Sequence, residues 1–272
     1  MLEIVDRGAR PELRDAVRAA PFGDSWPAFM QQDPMSPLYY GFTQEYGDYI
    51  LVALDDGEVV AAAYSVPFAP REEGLPDTGW DEIVRWSHVD RQRGVERTAC
   101  SALEINVLKS RQGTGLSARM LDALRANAKR LGHAELVAPV RPTSKHLEPH
   151  TPMEEYAFRV RDDGLPHDPW LRVHVRAGGV IERVCPVSMT IPGTLAQWRA
   201  WTGLPFDTDG AVVVPGALSP VMASVAHDVA VYVEPNGLGP APPVGARQKV
   251  HLVAPPSRPS VVTEVAAAGV RR

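Results

Sequence analysis

The stretch Leu103-Glu-Ile-Asn-Val-Leu-Lys-Ser-Arg-Gln-Gly-Thr-Gly-Leu-Ser-Ala-Arg-Met-Leu121 decides how this chain is read. Its first half alternates apolar Leu103, Ile105 and Val107 with polar Glu104 and Asn106, the period of a strand, and the surrounding residues extend that strand over Ala99–Leu108. In its second half Leu116, Met120, Leu124, Ala128 and Leu131 recur at helical spacing, with Gly132 just past the end, so a helix is expected over Leu116–Leu131. Between the two lies a polar turn holding Gly113 and Gly115. The first N–H groups of a helix have no intrahelical partner and the helix dipole is positive there, so a strand, a glycine turn and a helix in this order suit a phosphate or pyrophosphate. Gly113 and Gly115 let the backbone approach such an anion, and Arg111 adds a cation beside it.

Several chemistries use such a turn. Gly113-Thr-Gly115-Leu-Ser-Ala118 fits the dinucleotide pattern G-x-G-x-x-G/A. Its context fits poorly, because Lys109-Ser-Arg-Gln separate strand from glycine and the next strand, Glu135–Val140, runs into Arg141-Pro142 and not into an acid for a ribose. Gly115-Leu-Ser117-Ala-Arg119 begins like a nucleophile elbow, but Arg119 stands where the closing glycine belongs. No Gly-Lys-Ser/Thr follows, which argues against an ATP-type loop.

Composition narrows the class. The 272 residues suffice for one large domain or a domain with an appendage, and 44% hydrophobic with 22% charged residues is ordinary for a soluble globular chain. A net charge of −5 disfavours nucleic-acid binding, which leans on a positive field. Two cysteines cannot build a disulfide framework, and neither a membrane-length apolar run nor a secretion signal is present, so a cytoplasmic location without membrane contact is expected. Neither H-E-x-x-H nor paired C-x-x-C occurs, and Pro149 between His146 and His150 spoils a helical metal pair, so no metal is expected.

Along the chain, Leu2–Val5 reads as a strand, Pro11–Ala20 and Ser25–Gln32 as helices capped at the latter by Asp24 or Ser25, and Tyr49–Leu54 with Val59–Val66 as a hairpin around Asp55-Asp-Gly57. Gly79–Arg93 reads as a helix, Met153–Phe158 as a short one, Trp170–Arg176 and Val180–Met189 as strands around Gly178-Gly179, Thr194–Trp201 as a helix, and Val212–Glu234 as short strands. The order is β-α-α-β-β-α-β-α-β-(α)-β-β, an α+β or mixed α/β pattern. From Gly237 onward prolines interrupt every element, so 237–272 is expected to be a disordered tail.

The element order and the loop together resemble the GNAT superfamily of N-acetyltransferases, from about residue 1 to about residue 190. The family signature Q/R-x-x-G-x-G/A is approached by Gln112-Gly-Thr-Gly-Leu-Ser117, with Ser117 in place of the final Gly or Ala. Val107-Leu-Lys-Ser-Arg-Gln112 follows V-x-P-x-x-R, with Lys109 replacing the proline. Trp26-Pro-Ala-Phe-Met30, Ala138-Pro-Val-Arg-Pro-Thr143, Asp163–His174, Trp198–Gly203, Val214–Leu218 and Tyr232-Val-Glu-Pro-Asn236 are similar to a GNAT-like subgroup common in actinobacteria. The resemblance implies a mixed, mostly antiparallel central sheet flanked by helices, with 1–203 as the acyltransferase domain, 204–236 as a β-rich extension packed on it, and 237–272 as the tail. Three roles are open to 204–236: extending the final strands, covering the acceptor site, or forming a homodimer contact.

The same resemblance implies acetyl-CoA or another acyl-CoA as co-substrate and a small-molecule amine as acceptor, joined in a ternary complex. The backbone of Ile105, Asn106 and Val107 would hold pantetheine, and Arg111, Gln112, Gly113, Thr114, Gly115, Leu116 and Ser117 the pyrophosphate. Glu104, an acid in an otherwise apolar strand, is the candidate base, with burial raising its pKa. Tyr156, about 40 residues past the glycines, is the candidate acid for the leaving thiolate. Arg141, Thr143, Lys145 and His146, with His150, crowd the end of the strand Glu135–Val140 and form a candidate acceptor pocket suited to a carboxylate or phosphate. His174 and the six tryptophans read as packing residues, although Trp80, Trp86, Tyr39 and Tyr40 fall in segments that shape the acceptor site in the family. Two other functions stay open on the same fold: a non-catalytic CoA-binding or interaction module, and transfer to a carrier-protein thiol or decarboxylation of a malonyl thioester.

Overall fold

The computed structural model describes residues 1–42 and 45–241. Its elements in chain order are β1 (Leu2–Asp6), α1 (Leu13–Ala19), α2 (Ser36–Phe42), β2 (Ile50–Asp55), β3 (Glu58–Phe68), α3 (Gly79–Gln92), β4 (Ala99–Val107), α4 (Leu116–Arg130), β5 (Leu136–Val140), α5 (Met153–Ala157), α6 (Pro169–Arg176), β6 (Arg183–Gly193), α7 (Leu195–Thr202), β7 (Gly210–Val212), β8 (Val221–Ser224) and β9 (Val229–Ala241). One sheet runs β1-β2-β3-β4-β5-β9-β8-β7, with β6 along the other side of β9. Every described pairing is antiparallel except β4 with β5. This is the expected mixed, mostly antiparallel architecture.

Helices cover both faces, which is why β2 reads as an unbroken apolar run and not as an alternation. On one face Leu116, Met120, Leu124 and Ala128 of α4 pack on Leu51, Ala53, Ala61, Ala63, Cys100, Ala102 and Val107, and α5 and α6 add Met153, Ala157, Leu171 and Val175. The alanines at 53, 61 and 63 are fully buried and let α4 lie close to the sheet. On the opposite face Val52, Leu54 and Ala62 meet α1, while Val66, Phe68 and Leu103 meet Tyr39 of α2 and Trp80, Ile83 and Val84 of α3. A third cluster joins α7, Phe29 and Met30 to Val221, Ala223, Ala230 and Tyr232.

Three expectations need correction, and one helix is new. Trp170–Arg176 is the helix α6, not a strand: the Asp168 carboxylate accepts from the N–H of Trp170 and Leu171, and Pro169 occupies the first turn, where its missing N–H costs nothing. The apolar pattern Leu171, Val173, Val175 fits either period, and the cap decides. Ser25–Gln32 is two short 3-10 turns, Phe22–Ser25 and Ala28–Gln32, split by extended Trp26 before Pro27. The helix α2 was not expected at all. Last, Gly237 does not begin a tail, because β9 continues to Ala241 and pairs Gly237 with Val140 and Ala241 with Leu136. The rest of the expected tail, 242–272, lies outside the described residues.

β9 therefore organises this half of the sheet. β6 pairs along one side from Arg183 to Gly193, while β8 and then β5 follow each other along the other. Gly239 lies directly against the Val180 carbonyl, where no side chain has room. Ending the chain after Asn236 deletes the whole pairing with β5. Counting about 0.5–1.5 kcal/mol per hydrogen bond, this truncation is expected to cost about 3 kcal/mol or more, measured by urea unfolding against the full chain.

Candidate active site

The site is built where β4 leaves β5. These strands pair only at Cys100–Leu136 and Ser101–Val137. Immediately beyond, β4 carries a bulge: its pairing with β3 steps from Ala102–Ser65 to Glu104–Tyr64, leaving Leu103 as the extra residue. A bulge bends and twists its strand, and Pro139 deprives β5 of a donor just where the two separate. Among the described residues, the β5-facing edge of β4 from Ala102 to Val107 has no strand partner there.

The bulge also changes side-chain parity. Strict alternation puts Leu103 with Ile105 and Val107, and the structure corrects this: Leu103 packs with the α2–α3 cluster, whereas Ile105 and Val107 pack on the α4 side. The displaced Leu103 carbonyl accepts from Trp80 Nε1 at 3.2 Å. Glu104 follows on the α2–α3 side, where Tyr39 donates its hydroxyl to Oε2 at 2.9 Å. Burial pushes the Glu104 carboxyl above its ordinary range, and hydrogen bonds from Asn106 and Tyr39 oppose this. Burial, then the Glu104 charge, hold the Tyr39 hydroxyl well above its own range, so it stays a donor.

A closed chain of contacts surrounds the gap. Asn106 Oδ1 accepts from Trp26 Nε1 at 3.2 Å, and Arg141, the first residue after β5, lies 5.7 Å from the Trp26 ring. Arg141 donates to Glu234 Oε2 at 2.9 Å and to the Gly216 carbonyl at 2.6 Å. Tyr232 and Asn236 also donate to Glu234, which is fully buried on β9. Ser188 Oγ donates to Asn236 Oδ1 at 2.6 Å and accepts from the Trp80 N–H at 3.0 Å, and the Trp80 and Tyr39 rings lie 5.1 Å apart, which returns the chain to Glu104. Beside Trp80, Asp81 meets Asp33, and burial drives both carboxyls upward.

Below the gap, Val107 leads through a 3-10 turn, Lys109–Arg111, into the glycine loop. Gly113 and Gly115 have φ of 75° and 81°, in the left-handed region, and a Cβ at either would meet nothing, so both are required by conformation and not by crowding. No side chain caps α4 and its first turn holds no acid, so the positive helix end is uncompensated. Residues 111–115 are exposed. Arg111 is not a lone cation, since it pairs with Asp55 of the β2–β3 hairpin at 2.8 Å.

The remaining expected site residues are tied into hydrogen bonds of their own. Tyr156 is buried and donates to Asp168 Oδ2 at 3.0 Å, so its hydroxyl is occupied. Asp168 also accepts from the N–H of Thr143, Ser144, Trp170 and Leu171, which makes it the tie between the loop after β5, α5 and α6. The expected cationic pocket does not form. Lys145 is buried and donates to the Glu148 and Leu218 carbonyls, both at 2.7 Å, and burial lowers its pKa. His146 bonds the Thr143 carbonyl through Nδ1, and the Thr143 side chain is exposed. Of that set Arg141 alone borders the gap, already neutralised by Glu234. His174 lies on α6, with burial lowering its pKa to about 4. Sequence reasoning missed Asp33, Asp81 and Glu234. The acid at 234, inside a strand-like run, gave the same signal as Glu104.

No protein-family model matches the chain. Among curated proteins, arginine N-acetyltransferase avaD of Aspergillus versicolor is 34% identical over 259 residues, covering 84% of this chain and 89% of the relative. Among solved structures, the loading GNATL domain of CurA from Lyngbya majuscula superposes with a TM-score of 0.55 at 20% identity, covering 68% of this chain and 88% of that one.

Tyr156→Phe removes one of five donors to Asp168. It is expected to lower unfolding free energy by about 1–2 kcal/mol in a urea melt. Loss of turnover with unchanged stability would instead mark the hydroxyl as a proton donor.

Proposed function

The chain belongs to the GNAT superfamily of N-acetyltransferases, and on that premise we propose that it moves an acyl group, acetyl first, from acyl-CoA to a primary amine of a small molecule by direct attack within a ternary complex. One observation carries the reading. The unpaired edge of β4, Ala102–Val107, lies between a glycine loop at a bare helix end and a buried, hydrogen-bonded carboxyl, Glu104.

Acyl-CoA supplies the activated acyl group. The exposed loop 111–115 and the first N–H groups of α4 offer fixed donors and a positive dipole to its pyrophosphate. Backbone groups of Ile105, Asn106 and Val107 offer an extended ligand the hydrogen bonds that a neighbouring strand would otherwise take. Glu104 lies on the opposite face of the sheet from α4, so base and cofactor loop approach the gap from two sides. As base, Glu104 takes the ammonium proton of the acceptor, and Tyr39 and Asn106 hold its carboxylate in place. The carboxyls described around the gap, Glu104, Asp33, Asp81 and Glu234, outnumber the described cation Arg141, which suits a cationic acceptor better than the anionic one expected from sequence. Arginine, named for the curated relative, is the acceptor to test first.

Glu104→Gln keeps the shape and the Tyr39 contact but cannot take a proton. It is expected to lower kcat by about 10²–10⁴ while acetyl-CoA still raises Tm. Because the Glu104 carboxyl is raised above its ordinary value and acts in its ionised form, wild-type kcat/KM should fall as pH drops through that raised value, and this acid limb should disappear in the variant. Acetyl-CoA at about 100 Kd should add about 2.7 kcal/mol of stability. Gly115→Glu, which forces a side chain onto a left-handed backbone and sets a negative charge at the helix end, should abolish that shift.

A further inference from the structure

We infer that Asp33 and Asp81 share a single proton and through it clamp together the two segments that flank Glu104, which makes them positioning residues for the acyl transfer. The inference rests on Glu104 being the base.

The two carboxyls come from different elements with complementary loads. Asp33 closes the turn before α2, where its Oδ1 accepts from the Met35 N–H at 2.6 Å, and α2 carries Tyr39. Asp81 lies in the first turn of α3 beside Trp80, and its Oδ2 accepts from the Thr190 N–H of β6 at 3.1 Å. Tyr39 holds the Glu104 carboxyl, and Trp80 holds the bulged carbonyl of the residue before it. Whatever keeps Asp33 against Asp81 therefore fixes both supports of Glu104.

The facing oxygens require a proton between them. Asp33 is 2% exposed, and Asp33 Oδ2 and Asp81 Oδ1 are buried acceptors with no donor among the described residues, although the two side chains lie within hydrogen-bond reach of each other. Two ionised carboxylates cannot face each other in such surroundings. No described cation answers the pair. The other ionisable group acting on both is Glu234 of β9, which adds negative potential, and its own counter-ion, Arg141, is committed to it. Burial and this crowding raise both carboxyls, so one proton stays on the pair well above the usual carboxylate range. The sign follows: the clamp is closed while the proton is present, and it opens as pH rises through the raised value. On opening, repulsion drives the turn carrying α2 away from α3 and withdraws Tyr39 from Glu104.

Asparagine separates the proton from its titration. In Asp81→Asn the amide nitrogen takes the place of Oδ1 and donates to Asp33, while the amide oxygen still accepts from Thr190. Asp33→Asn makes the same bond with donor and acceptor exchanged. The experiment follows tryptophan fluorescence and kcat/KM of the full chain, with acetyl-CoA and arginine, from neutral to alkaline pH. Wild type should show one transition in both signals, with kcat/KM falling about tenfold per pH unit above it, the slope of a single proton. Neither asparagine variant should show it. Retention of the wild-type transition in both variants, or a flat wild-type fluorescence profile, overturns the inference. If the fluorescence transition is present in wild type and absent from the variants while Glu104→Gln keeps full turnover, the clamp stands and the assignment of Glu104 as base falls.

Discussion

The rest of the structure depends on the early separation of β4 from β5. Two residue pairs hold the strands together, and the Leu103 bulge and Pro139 end the ladder there. An exposed strand edge normally invites pairing with another chain, so proteins cover it or shorten it. Here it stays open inside the sheet, between elements that cannot close over it. β4 is held by β3 along its whole length, and β5 is held by β9. Each strand finds its hydrogen bonds on its far side, so the gap costs little stability and leaves a row of backbone donors and acceptors for a ligand.

The separation also sorts the chemistry by face. The glycine loop and α4 lie on one side, and Glu104 with its aromatic neighbours on the other. The bulge does both jobs, since the extra residue that turns β4 away also fixes which face Glu104 occupies. The polar groups around the opening are almost all satisfied by one another, from Asn106 through Trp26, Arg141 and Glu234 to Ser188 and Trp80. Buried networks of this kind rigidify a site when every member is paired, and they are costly when one is not. The Asp33–Asp81 contact is the place where satisfaction requires a proton.

Much of this was legible in the sequence. The period changes from two to about 3.6 across Leu103–Leu121, and glycines sit where only a left-handed backbone connects strand to helix. The Asp55-Asp-Gly57 hairpin and the Thr194 helix start were read correctly for the same reason: each depends on a few adjacent residues. Failures came where distant residues decide. Trp170–Arg176 carried a pattern compatible with two periods. Gly237–Ala241 had the composition of a tail but met an open edge of β5. The cluster Arg141, Thr143, Lys145 and His146 looked like an anion site because its partners Glu234, Asp168 and Leu218 are remote in sequence.

By itself, then, the sequence determined the strand, glycine loop and helix over Ala99–Arg130 and the acid on that central strand, since local backbone preference and side-chain period are properties of short segments. Tertiary structure alone decided which charges are free. Arg141 and Lys145 are consumed by buried partners, Tyr156 is tied to Asp168, and two aspartates 48 positions apart face each other beside the supports of Glu104. The physical reason is that desolvation and pairing, which set a group's charge and its availability, depend on neighbours in space, and the fold brings those neighbours from β9, α3 and the turn before α2.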